Sequence, residues 1–576
     1  MRKLPPHLQP YVAEQHYERY TPVDHAVWRY VMRQNRHALR HAAHDAYVNG
    51  LALSGIGTER IPRVSEMNDC LAKIGWGAVI VKGLIPGAVF YELLANGILP
   101  IAAEIRKSAN IEYTPAPDII HEAAGHAPLL FDADYRSYVR LIGAIGAKAF
   151  SAKEKQEAFE ALRRLTIVME DPASSPEERE AAQRAVEEKQ KASAGTTEAE
   201  LVSRLFWTTV EYGLIGPMDD PKLYGAGLLS SVGESKHCFT DAVAKLPYSV
   251  EACTEHPKIV TEMQKRLFVC DSFGQLKAGA EALADTMAYR IGGTESLTRA
   301  QRSGMVATFA YNSGLGVTGC VQTLVQDESG EAVYVKTIGA TALTVRGRPL
   351  HGQGKDAHAR GFGSPIGLLK GGIALEACGD QALAELGVSL GSRAALAFES
   401  GILVKGPVTA IARSEGQVVL ITFAACSVTY EGQELFEPEW GDYDMAVGSR
   451  IVTAYPGAAD PASYYDDYAA HTVRAGTIPE QAQPLTRLEA LYRQAAAIRE
   501  ERADALTEEQ LQAIAGIHRE LGRIDPEDWL LRLELLEIAA PEQALASLAK
   551  TLTEELHTLG QNKSVANVIQ NGLAIV

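Results

Sequence analysis

Two histidines stand five residues apart in the run Thr114-Pro115-Ala116-Pro117-Asp118-Ile119-Ile120-His121-Glu122-Ala123-Ala124-Gly125-His126-Ala127-Pro128. Neutral imidazole is the commonest metal ligand in proteins, so the pair is the first place to look for chemistry. The run differs from the zinc-protease motif H-E-x-x-H, whose histidines are four apart on one helix face. Five residues on an ideal helix separate two side chains by about 140°. Both can reach one ion only if the helix is locally widened. Gly125 permits that, and a π-bulge is the expected device. Two histidines with one carboxylate, leaving three positions open, form the facial triad of non-haem Fe(II) oxygenases. The candidate carboxylate is Glu211, in Leu205-Phe206-Trp207-Thr208-Thr209-Val210-Glu211-Tyr212-Gly213-Leu214. An acid in so apolar a segment is costly to bury unless it is paired or bound to metal. On the residues alone, hydrogen-bonded structural histidines and a structural ion pair at Glu211 stay open.

Such residues need rigid elements to hold them, and the chain has ample material. It has 576 residues, 46% hydrophobic and 22% charged, an ordinary globular composition with room for several domains. The net charge of −17 comes from 72 acidic against 55 basic residues. No basic run supports nucleic-acid binding or an anionic membrane surface. Seven scattered cysteines with no C-x-x-C argue for reduced thiols in a cytoplasm. The amino terminus lacks the apolar core of a signal peptide, and no segment offers about 18 uninterrupted apolar residues.

Along the chain, residues 117–150 read as a helix capped at Asp118. Residues 151–200 are dense in Glu, Lys, Arg and Ala and read as a solvated helical hairpin. Helical periodicity resumes at 205–295. Gly-punctuated apolar and alternating runs over 300–475 read as a β-rich domain. From 478 helices return, with a capping-box signature at Thr507 and Gln510 and an N-cap with Pro at Asp525-Pro526. The apolar stripes Leu511, Ile514, Ile517, Leu521 and Leu530, Leu533, Leu536, Ile538 must be buried against something: each other, the β-rich domain, or a second copy of the chain in a homo-oligomer. His37, His41 and His44 share one helix face and read as a solvated stripe. Residues 351–364, around Lys355, lack the G-x-x-x-x-G-K-[ST] pattern and read as a surface loop.

Three blocks in order carry a family resemblance: P-D-x-x-H-E-x-x-G-H-x-P at 117–128, W-x-x-V-E-x-G-L at 207–214, and Tyr224-Gly225-Ala226-Gly227-Leu228-Leu229-Ser230-Ser231-x-Gly233-Glu234. With them the chain resembles the pterin-dependent aromatic amino acid hydroxylases over about residues 1–290. The resemblance implies an α+β protein with a mainly α-helical hydroxylase domain at 1–295, followed by the β-rich and helical regions. It implies Fe(II) held by His121, His126 and Glu211, and a tetrahydropterin (tetrahydrobiopterin or a bacterial analogue). Arg106 matches the arginine that binds the substrate carboxylate. Asp118 and Ser230 match residues that orient that arginine and the first histidine. Trp207 and Pro117 match the substrate pocket wall. Glu122 matches the carboxylate facing the pterin, and Gly83, Leu84 and Phe90 its loop and stacking ring. Val269 stands where tyrosine hydroxylases carry an aspartate, and with Trp207 it favours phenylalanine, hydroxylated with O2.

The chain also departs from the family pattern. Ala116 replaces the usual glutamate, Thr208 a common aromatic, and the 151–200 insert a shorter connection. The animal enzymes' regulatory domain and tetramer-forming tail have no match. A zinc hydrolase on His121-Glu122, a tryptophan or tyrosine hydroxylase, and a non-catalytic regulator are the competing readings. The expected division of labour puts chemistry in 1–295, with assembly or regulation in the rest.

Overall fold

The computed structural model describes residues 4–81, 83–112, 118–170, 174–192, 196–259, 262–465, 484–501 and 505–576. Its first long helix, Pro22–Ala42, opens on a capping box: Thr21 accepts from the Asp24 amide, and Asp24 accepts from that of Thr21. This helix is buried on every face over residues 26–32, which include Val27, Trp28, Tyr30, Val31 and Met32. Around it stand the helices Ala133–Gly146, Glu198–Phe206 and Phe273–Asp285 and two small mixed sheets. In one sheet Gly77–Val81 runs parallel to Ile98–Ala102. In the other Leu214–Ile215 runs parallel to Arg266–Cys270. The expected charged hairpin is present as Lys153–Glu170 and Pro176–Ala192, tied by Lys189 to Glu157.

From Val306 to Pro456 the chain forms two six-stranded antiparallel sheets with two apolar cores. Helix Gly293–Ser303 and Phe150 pack into one of those cores, which joins the β-rich region to the helical one. The 351–364 segment is exposed at His351 and half-buried at Lys355, and His358 is buried. Its Nε2 lies 2.6 Å from Gln353 Oε1 and its ring stands edge-on to Phe362, because a bridge to Thr341 draws the segment onto the sheet. His37 and His41 are exposed, whereas His44 accepts from the Ala46 amide as a helix cap.

Five helices close the chain: Arg487–Glu501, Glu508–Ile524, Trp529–Ala539, Ala546–Leu559 and Ala566–Leu573. The Thr507–Gln510 capping box is present. The next helix starts later than the sequence suggests: Asp525-Pro526 forms a turn, and Asp528 caps by accepting from the Leu531 amide. Helix Trp529–Ala539 is not striped but buried on every face, so it is the centre of the bundle.

The bundle packs on the helical region at the start of the chain. It shares one apolar core with helix Pro22–Ala42 and its neighbours. Arg29 and Glu534, 3% and 4% exposed at their side chains, form a bidentate ion pair across this contact. Burial alone would raise the Glu534 carboxyl, but the Arg29 charge and hydrogen bonds hold it below the usual carboxylate range. Tyr30 donates to the Val568 carbonyl and Gln34 to that of Asn571. The apolar stripes are thus satisfied within the chain. The described helices after residue 486 share one apolar core with the first 290 residues.

Removing one partner of a buried ion pair strands the other, at a cost of about 3–5 kcal/mol. Glu534→Ala should lose that much in denaturant unfolding of the full chain, while Arg29→Met/Glu534→Leu should come close to wild type. Equal losses in both would mean that the pair is not the strut described here.

Candidate metal centre

The segment after Asp118 is a π-helix, Ile120–His126, as the five-residue spacing requires. Its wider turn brings residues i and i+5 to one side, and the two imidazole Nε2 atoms stand 3.1 Å apart. A second π-helix, Trp207–Glu211, was not legible in the sequence. It turns Glu211 inward, with Oε2 3.1 Å from His121 Nε2 and Oε1 3.4 Å from His126 Nε2. Thr208 and Thr209 donate their hydroxyls to the carbonyls of Arg204 and Leu205, where the widened turn disturbs the helical ladder.

The Gly-rich block brings the two π-helices together. A Cβ on Gly125 would lie 2.7 Å from the Ala226 carbonyl oxygen, and one on Gly225 would lie 2.5 Å from that of Glu211. The backbones of all three motifs therefore touch, and side chains at those glycines would separate the ligands.

Asp118 fixes the start of the first π-helix. Its Oδ1 accepts from the His121 amide (3.0 Å) and Arg106 Nη2 (2.9 Å), and its Oδ2 from the Arg106 amide and Nε. Burial would raise the Asp118 carboxyl, but Arg106 overrides this and keeps it below the usual range. Arg106 Nη1 donates to the Ser230 carbonyl. Ser230 Oγ donates to the Ala226 carbonyl (2.7 Å), so its contact with His121 Nδ1 (3.0 Å) must run from ring N–H to hydroxyl oxygen. This fixes the tautomer with Nε2 bare and pointing at the other two ligands.

His121, His126 and Glu211 are the only such group among the described residues, with ligand atoms all within 4.8 Å. Two imidazole nitrogens and a carboxylate oxygen converging on one point suit a divalent ion and leave one side of it free. Burial would raise the Glu211 carboxyl, but the histidines hold it far below its ordinary value. Glu122 is buried beside them, its Oε2 3.8 Å from His126 Nε2. Burial, against a lowering by His126, pushes its carboxyl up to about 8. Glu122 and His126 line a small cavity whose walls include Phe90, Tyr135, Phe206 and Val210.

The structure thus gathers His121, His126, Glu211, Asp118, Arg106, Ser230, Glu122 and Phe90 at one place. Trp207 flanks it, its Nε1 donating to Gln264 Oε1 at 3.4 Å. Gln264 is buried, belongs to no sequence motif, and was missed; its backbone amide donates to Glu234 and its side chain to the Ile259 carbonyl. Gly83 (φ 60°) and Leu84 are exposed, with no contact to the cluster. Val269 is buried in strand Arg266–Cys270 beside Leu214 and does not line the small cavity. Pro117 lies outside the described residues.

The comparisons with known proteins converge on the same segment. The family model of biopterin-dependent aromatic amino acid hydroxylase matches residues 14–162 and 182–292. The phenylalanine-4-hydroxylase of Ralstonia nicotianae is 29% identical over 268 residues, 46% of this chain and 72% of that one. That of Chromobacterium violaceum is 30% identical over 261 residues, covering 45% and 73%. Among solved structures, the C. violaceum enzyme with iron(III) and 7,8-dihydrobiopterin is 28% identical, with 48% and 85% coverage and a TM-score of 0.38. Its iron- and phenylalanine-bound form gives 27%, 48%, 89% and 0.36.

Loss of a hydrogen bond that orients a ligand typically weakens metal binding about 10- to 100-fold. Ser230→Ala should do so in an iron titration while leaving the far-ultraviolet circular dichroism unchanged. Unaltered affinity would refute the tautomer assignment at His121.

Proposed function

The chain belongs to the biopterin-dependent aromatic amino acid hydroxylases, and from that premise we propose that it converts L-phenylalanine and O2 to L-tyrosine with His121, His126 and Glu211 as its iron ligands. The activity is that of an iron- and pterin-dependent monooxygenase. The observation that carries the ligand assignment is the convergence of two imidazole nitrogens and one carboxylate, 3.1–3.4 Å apart, from two separate motifs. When bound, iron(II) and the tetrahydropterin supply the reducing electrons and the activation of O2.

This chain's own residues bind, orient and exclude water. His121 offers Nε2 because Ser230 holds its Nδ1–H. Arg106, clamped by Asp118, keeps two guanidinium N–H groups for a substrate carboxylate. Trp207 walls the space for the aromatic ring. Phe90 and Glu122 share the cavity wall that would face the pterin, and a carboxyl near its midpoint at about pH 8 can donate a proton or hydrogen bond there. Phenylalanine as the substrate rests on the relatives' activity and on Trp207. Val269, buried in its strand, adds nothing to that choice.

No helix among the described residues is long and apolar enough to cross a membrane. All seven cysteines are free thiols, which supports a reducing, cytoplasmic setting. The zinc-protease motif sets its histidines four apart on an α-helix, whereas His121 and His126 stand five apart on a π-helix.

Glu211→Gln, His121→Ala and His126→Ala should each lose bound iron and phenylalanine hydroxylation together, with the fold intact by circular dichroism. A Glu211→Gln protein with full iron by elemental analysis and full turnover would overturn the ligand set. In direct competition phenylalanine should exceed tyrosine in kcat/KM by about tenfold or more, since a ring hydroxyl buried without a partner costs about 1–3 kcal/mol. Preferred turnover of tyrosine would overturn the substrate assignment.

A further inference from the structure

Lys258 has no role in any motif, yet its Nζ lies 4.7 Å from the centroid of the Trp207 ring. The residue is exposed, and no carboxylate among the described residues pairs with it. Its ammonium still stands close enough to the metal centre for the Glu211 charge to favour its protonated form, against the protein packed round it, which disfavours it. An exposed cation set against an aromatic wall, with no carboxylate paired to it among the described residues, is placed to receive an anion.

The segment carrying it is anchored. Gln264 donates to the carbonyl of Ile259, the residue after Lys258, and accepts from the Trp207 indole. Glu234 holds the Gln264 amide in turn. The lysine and the tryptophan therefore share one anchor.

The charge balance at Arg106 shows what is missing. Arg106 is buried and already gives Nε and Nη2 to Asp118 and Nη1 to Ser230. The Arg106–Asp118 pair has no net charge, so an incoming carboxylate gains direction from it but little net attraction.

We propose that Lys258 is a second substrate-binding cation whose ammonium pairs with the carboxylate of the aromatic amino acid beside Trp207. Arg106 then orients that carboxylate and Lys258 supplies the compensating charge. The inference rests on Trp207 walling the substrate pocket, as proposed above.

The test is calorimetric binding of L-phenylalanine and of L-phenylalaninamide, which lacks the negative charge, to iron-loaded wild type, Lys258→Gln and Lys258→Arg. Lys258→Gln should weaken phenylalanine binding about tenfold, the scale of one charged hydrogen bond, and leave the amide unchanged. Lys258→Arg should restore most of the loss, and steady-state kinetics should show the change in KM, with kcat within about twofold. Equal weakening of both ligands would mean that Lys258 only props the tryptophan, and no change in either would mean that it has no part in binding. Either result overturns the proposal. A wild-type protein that binds iron and phenylalanine but does not hydroxylate it would sink the proposed function and leave this binding test intact.

Discussion

The carboxylate of Asp118 is the joint on which the site hangs. It receives the backbone and side chain of Arg106 and the amide of His121, so one buried charge fixes the start of a π-helix and the arginine beside it. Because Asp118 is nearly inaccessible to water, each of those hydrogen bonds acts in a low dielectric and is costly to break. Arg106 then reaches the Ser230 carbonyl, and Ser230 reaches back to His121. The loop of contacts closes on the residue where it began, which makes the ligand geometry rigid before any ion arrives.

A second constraint is steric. The Gly-rich block is conspicuous in the sequence. Glycines remove side chains where three backbones meet, at Gly125 of the first π-helix against Ala226 of that block and at Gly225 of the block against Glu211. Widened helices leave their own hydrogen bonds poorly aligned. Here the threonine hydroxyls and these close approaches compensate, so a normally unfavourable backbone form becomes the one that packs.

The sequence made the ligand set and the first π-helix legible, because five-residue histidine spacing next to Gly125 has only one way to face a single ion. The second π-helix was hidden, since Trp207–Glu211 reads locally as ordinary helix and only tertiary contact widens it. Apolar stripes after residue 478 told that a partner exists but not which one. The identity of a buried face's partner is non-local information, and no local pattern links Arg29 with Glu534. Asp525 was a plausible cap by pattern, yet Asp528 won because it also accepts from the Tyr492 hydroxyl. Gln264 had no signal at all.

The ion pair between Arg29 and Glu534 spans 505 positions in the chain. On the ribosome, helix Pro22–Ala42 is therefore made long before the helix that covers it, and the whole β-rich region emerges in between. The antiparallel sheets can close on their own hairpins during synthesis, whereas the contact of Pro22–Ala42 with helix Trp529–Ala539 waits for the later of the two to be made. Burial of the Arg29 charge is consequently a late event, and until then its guanidinium stays in water.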